Sequence, residues 1–137
     1  MGKATVLTIS DTHFPYHRPE CFDFLNELKK SYKPKHVVHL GDEVELSAFS
    51  KWQKDPAMTG ARDEYLAALK CMKMLYKIFP KVQVCVSSHG SRIYRKAMDA
   101  GLPMEVMKSY RQIWEAPSTW TWHDRIVIDN VCYIHGH

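Results

Sequence analysis

No stretch of this sequence approaches the ~18 consecutive apolar residues of a membrane-spanning helix, and no basic segment precedes a long apolar one at the N-terminus. Neither a membrane anchor nor a secretory signal is expected, and a cytoplasmic location is. Cysteine is sparse and scattered: Cys21, Cys71, Cys85 and Cys132 form no C-x-x-C pair. That argues against a thiolate zinc site and for reduced, mostly buried thiols. Internal repeats, low-complexity tracts and linkers are also missing, so residues 1–137 read as one domain. A net charge of +4 suits an anionic substrate without requiring one. With 45% apolar and 25% charged residues, wholesale disorder is not expected.

What is present is an alternation of strand and helix signals. After a short arm, Met1 to Lys3, the run Ala4 to Ile9 reads as a strand buried on both faces. Pro19 suits a first helical position, and Phe22, Leu25, Leu28 and Tyr32 recur at helical spacing up to a stop at Ser31–Pro34. His36 to Leu40 is a second strand, completing a βαβ unit. A short turn through Leu46–Trp52 precedes a helix that starts near Asp63 and Glu64. Its stripe is Tyr65, Leu69, Met72, Leu75, Tyr76 and Phe79, with Met72 and Met74 as core filling. Val82 to Val86 is a third strand, Arg92 to Ala100 a helix capped by Gly101, and Pro103 to Trp114 another helix. Ala116 to His123 reads as a loop or short edge strand. Arg125–Ile128 and Val131–Ile134 flank Asp129-Asn130 as a β-hairpin. The fold class is α/β: βαβαβ, more helix, then the start of a second sheet.

Ligand-capable residues close the strands. Asp11 and His13 leave the first, Asp42 the second, His89 the third and His135 the hairpin. Ligands of open α/β sheets collect at these carboxyl ends. Mixed carboxylate and imidazole donors suit Mn²⁺, Zn²⁺ or Fe rather than Ca²⁺. Arg92, Arg95 and Lys96 follow on a short helix, as a phosphate clamp or a solvated face. Ser87, Ser88 and Gly90 offer backbone N–H groups to an anion at that helix start. His17, His36, His39 and His123 read as structural or surface residues. Trp114, Trp120 and Trp122 read as core or a covered edge, with base stacking as the alternative.

Asp11-Thr12-His13, Gly41-Asp42-Glu43-Val44-Glu45, Ser87-Ser88-His89-Gly90 and Tyr133-Ile134-His135-Gly136-His137 resemble the blocks of the calcineurin-like metallophosphoesterase family. Those blocks run D-x-H, G-D-x-x-D, G-N-H-[DE], a strand-end His, and G-H-x-H. The likeness runs from residue 5 to the last residue and is closest to small phosphoesterases of phage and bacteria. It implies a layered two-sheet sandwich and a dinuclear metal centre. Asp11 and His13 would hold the first ion, Asp42 would bridge, and Ser88 (for the family's Asn) and His135 would serve the second. His89 would assist the leaving group, although Gly90 replaces its usual acidic partner, and Glu45 would support a ligand rather than be one. The last block has no counterpart, so the resemblance implies a C-terminally truncated domain whose second ion binds more weakly and whose hydrolysis is reduced or absent.

The expected function is metal-dependent hydrolysis of a phosphomonoester or phosphodiester, with a nucleotide or nucleic acid among the candidate substrates. Two alternatives stand beside it: a catalytically degenerate interaction module on the same fold, and a nucleic-acid-binding α/β domain. An exposed sheet edge would favour a homo-oligomer or completion by a partner chain.

Overall fold

The computed structural model describes residues 5–57 and 60–136. Met1–Lys3, the start of the first strand at Ala4, and His137 of the last motif lie outside them.

Four short strands, β1 (Val6–Ile9), β2 (His36–His39), β3 (Val82–Cys85) and β4 (Trp120–His123), form one sheet in the order 1-2-3-4, parallel throughout. The connections carry helices α1 (Cys21–Tyr32), α2 (Ala61–Ile78), α3 (Arg92–Asp99) and α4 (Tyr110–Ile113), with a 3₁₀ turn at Ser47–Phe49 before α2. Sequential parallel strands with right-handed crossovers put their helices on one face, and burial agrees. Leu7, Ile9, Val37, Val82, Val84 and Trp120 pack with Leu25 of α1 and Leu69, Met72 and Leu75 of α2. The other face holds Val6, Val38, Leu40 and Cys85 against Ile126, Ile128 and Tyr133. Those last three belong to the antiparallel hairpin of β5 (Ile126–Ile128) and β6 (Val131–Tyr133), a separate two-stranded sheet. Its turn residues Asp129 and Asn130 both have positive φ, 49° and 65°, as a tight two-residue hairpin requires.

Several sequence expectations need correction. Among the described residues β1 pairs with β2 alone, and its Thr8 is exposed, so the strand is not buried on both faces. Pro19 stands two residues ahead of α1, and Tyr32 projects into solvent at 65% exposure. Met72 is core, but Met74 is exposed. Pro103–Trp114 is not one helix. A 3₁₀ turn covers Met104–Val106, and α4 starts afresh where Ser109 and Gln112 form a capping box, a stronger local stop-and-start signal than the apolar spacing. The short edge strand read in Ala116–His123 is present as β4, whose Trp120 is buried and donates its ring N–H to the Phe79 carbonyl at 2.8 Å. Gly101 does close α3. Its N–H reaches Met98 O and that of Leu102 reaches Ala97 O, a Schellman closure with Gly101 at φ +83°.

No described helix is long and apolar enough to cross a membrane.

Candidate metal centre

All four parallel strands release their chains at the same edge of the sheet. The loops after β1 and β2 continue the pairing beyond the strands: Asp11 N–H donates to Gly41 O, His13 N–H to Asp42 O, Phe14 N–H to Glu43 O, and Glu45 N–H back to Phe14 O, all at 2.9–3.1 Å. This ladder fixes Asp11, His13, Asp42 and Glu45 relative to one another. It also forces strain, for Asp11, His13 and Asp42 all have positive φ, at 55°, 46° and 52°. Left-handed backbone at non-glycine residues costs on the order of 1–3 kcal/mol each and collects at functional sites.

Gly41 is required where β2 ends. Its φ is +105°, and a Cβ there would lie 2.5 Å from Ser87 Cβ and 3.0 Å from His135 Nδ1. The close approach brings β3 and the hairpin end against Asp42. Ser87 Oγ accepts from Asp42 N–H at 2.7 Å, and Asp42 Oδ1 accepts from His89 N–H at 3.0 Å.

Three imidazoles converge on this carboxylate. Donor atoms of His13, Asp42 and His89 lie within 4.8 Å of one another, and the His13 and His89 rings meet edge to face at 4.7 Å. His13 donates Nδ1–H to Glu45 Oε2 at 2.6 Å, which turns the Nε2 lone pair toward Asp11 Oδ1 (3.2 Å) and Asp42 Oδ2 (3.9 Å). His135 donates Nδ1–H to Leu40 O at 2.9 Å, leaving Nε2 3.3 Å from Asp42 Oδ2. With each Nδ1 proton already engaged, a lone pair faces a carboxylate oxygen in both cases. Such a pair is joined either by a proton on Nε2 or by a metal ion bound to both groups. Ligating histidines are oriented in this way, through the other ring nitrogen, by a carboxylate or carbonyl. Donor separations of 3.2–3.9 Å suit shared coordination at bond lengths of ~2.0–2.2 Å. The donor set therefore fits a divalent ion.

Asp11, the most exposed of the group, has its carboxyl pKa lowered, chiefly by the Ser10 hydroxyl that donates to it; burial opposes this, and His13 adds a further lowering. His89 donates Nδ1–H to Glu45 O at 3.2 Å, and Arg92 Nη2 donates to its Nε2 at 3.3 Å. Arg92 is further held by Glu45 O at 2.7 Å, so it braces His89 and the Glu45 loop. Arg95 donates to Ser88 O and stays largely in solvent. Ser88 itself is exposed, and its hydrogen bonds run through the carbonyl. The buried hydroxyl that touches Asp42 belongs to Ser87. Thus Asp11, His13, Asp42, His89 and His135 are brought together, Arg92 stands behind them, and Ser88 and Arg95 lie at the rim.

Two groups behind the centre carry little sequence signal. His39 is fully buried. Gly41 N–H donates to its Nδ1 at 3.1 Å, so its proton sits on Nε2 and reaches Thr12 Oγ1 at 3.2 Å, and Thr12 Oγ1–H donates to Glu43 O. Burial lowers its pKa to about 4, so it is a neutral strut for both ligand loops. Glu43 is equally buried. Trp122 Nε1–H approaches its side chain, at 3.4 Å to Oε1, and among the described residues Oε2 has no hydrogen-bond partner. Burial pushes its pKa up to about 7. Gly90 is small for this reason, since a Cβ there would come within 3.0 Å of Glu43 Oε1. Three acids within Asp42–Glu45, directly after a strand, are the one sequence hint of such crowding.

No protein-family model matches the chain, and no curated protein matches it.

Proposed function

We propose that this chain is a metal-dependent phosphoric ester hydrolase of metallophosphoesterase type, acting on phosphomonoesters or phosphodiesters. The observation that carries the reading is the paired orientation of His13 and His135, whose Nε2 lone pairs both face the Asp42 carboxylate while their Nδ1 protons are engaged elsewhere. The order of the D-x-H, G-D and H-G-H blocks along the chain supports it, as does a second, two-stranded sheet layered on the parallel one.

Asp11, His13 and Asp42 would hold one divalent ion, and Asp42 with His135 a second, weaker one; Mn²⁺, Zn²⁺ and Fe²⁺ match the donors. When bound, such ions lower the pKa of water and neutralise phosphoryl oxygens. The chain's own residues do the rest. Glu45 fixes the His13 ring through Nδ1, Leu40 O fixes His135, and Ser87 Oγ with the His89 N–H holds the Asp42 carboxylate. His89, positioned by Glu45 O and Arg92, stands at the rim where it can meet a phosphoryl oxygen or a leaving group.

The test is hydrolysis of bis-p-nitrophenyl phosphate with added Mn²⁺. Wild type is expected to turn over only with metal, and Asp42→Asn to lose at least a hundredfold. Tight Mn²⁺ binding with no turnover would favour the interaction-module alternative. Activity surviving Asp42→Asn would sink the reading.

A further inference from the structure

We infer that the cleft between α3 and the loop after β2 seats one nucleotide of a single-stranded nucleic acid beside the metal centre. The inference rests on the proposed hydrolase and names its substrate class.

The cleft has a volume of about 350 Å³, at the small end of ligand sites, and it opens directly from the centre because His89 and Arg92 line both. One wall is the outer side of α3, with Arg95, Lys96 and Met98. The other is Phe49 to Trp52. Lys51, Arg95 and Lys96 line the cleft with a single acid, Asp99, while Arg92 is held by Glu45, so the lining favours an anion.

It also selects a flat apolar group. Trp52 is 70% exposed, the most exposed large hydrophobic residue described, and Lys51 Nζ lies over its ring at 5.2 Å. An indole held in solvent beside cations is how strand-binding proteins stack a base while basic side chains follow the phosphates. A simple phosphomonoester has no use for the ring, and an acidic peptide has none for a stacking platform. The three tryptophans first considered for stacking are unsuited to it: Trp114 and Trp120 are buried, and Trp122 stacks on Tyr110 at 5.9 Å. A second basic groove, lined by Lys29, Lys33, Lys35 and Lys81, lies at the opposite, amino end of the strands and holds none of the candidate ligands. It lacks an exposed indole and serves as the internal control.

The experiment titrates the whole chain, with EDTA to prevent turnover, with pentathymidylate, reading tryptophan fluorescence and fluorescence anisotropy of a labelled copy. Binding is expected with quenching. Trp52→Ala should weaken it at least fivefold and abolish most of the quenching, and Lys96→Glu should weaken it at least fivefold and flatten the salt dependence. Both residues are exposed, so folding is not at stake. No binding, binding indifferent to both substitutions, binding lost instead in Lys33→Glu/Lys35→Glu, or equal competition by a phosphoserine pentapeptide would each overturn the inference. Bis-p-nitrophenyl phosphate turnover in wild type separates the two claims. Turnover without pentathymidylate binding keeps the hydrolase and removes the cleft, whereas Trp52-dependent binding without turnover keeps the cleft and removes the hydrolase.

Discussion

Acid should weaken this protein through His39. In the folded chain Nδ1 accepts from Gly41 N–H, so a second proton on the ring would set two donors against each other inside a sealed site. The folded pKa of about 4 lies below the ordinary 6.5. Between those values the unfolded chain binds a proton that the folded chain refuses, so stability is complete above about pH 6.5 and is lost as pH falls toward 4. At about 1.4 kcal/mol per unit, the full loss is about 3 kcal/mol. His39→Gln does not titrate, and at neutral pH it should cost about 1–3 kcal/mol for the disturbed hydrogen bonds. Urea unfolding of both proteins in EDTA, from pH 7.5 down to 4, reads the difference directly, and pH effects of the other groups largely cancel. Wild type's advantage should shrink by about 3 kcal/mol over that range. An advantage that stays constant with pH would refute the assignment of His39 as the neutral strut.

Three further outcomes follow from the same geometry. Glu43 has the opposite sign: its folded pKa of about 7 exceeds the ordinary 4.5, so ionising it penalises the fold as pH rises through that window. Glu43→Gln should therefore gain about 3 kcal/mol on wild type between pH 4.5 and 8 in metal-free urea titrations. Gly41→Ala should destabilise by on the order of 3 kcal/mol in thermal unfolding, because the added Cβ meets Ser87 Cβ and Cys85 O within 3 Å at a positive φ. Glu45→Ala should weaken Mn²⁺ binding by roughly 10–100-fold in calorimetric titration while leaving the far-ultraviolet spectrum unchanged, since its carboxylate orients His13 and also lies beside His89 and Arg92.

The order of elements was legible because β1, β2, β3 and β5 are short runs rich in Val and Ile and each of the first three helices carries either an apolar stripe or a firm stop. Reading failed where local and tertiary signals compete. Ser109 and Gln112 restart a helix inside what looks like continuous periodicity, and the exposure of Thr8 in β1 depends on pairing that no local pattern records. Asp11, His13, Asp42, His89 and His135 were visible as polar residues closing strands. Their partners were not. Ser87 rather than Ser88 touches Asp42, His39 proves to be the buried strut of two loops, and Glu43 fills the space that Gly90 leaves open. Each of these depends on which way a side chain points once two loops have zipped together, and that is set by the ladder from Asp11 to Glu45. Trp52 escaped notice because a lone indole in a polar loop looks like any other until α3 packs opposite.

The central claim, that a divalent ion joins His13 and His135 to Asp42, is tested most directly by an anomalous difference map from crystals soaked in Mn²⁺. A strong peak bonded to His13 Nε2 and the Asp42 carboxylate is expected, with a weaker second peak between Asp42 and His135 Nε2. A well-ordered site with no peak at Asp42, its imidazoles bonded to the carboxylates through protons alone, would contradict it.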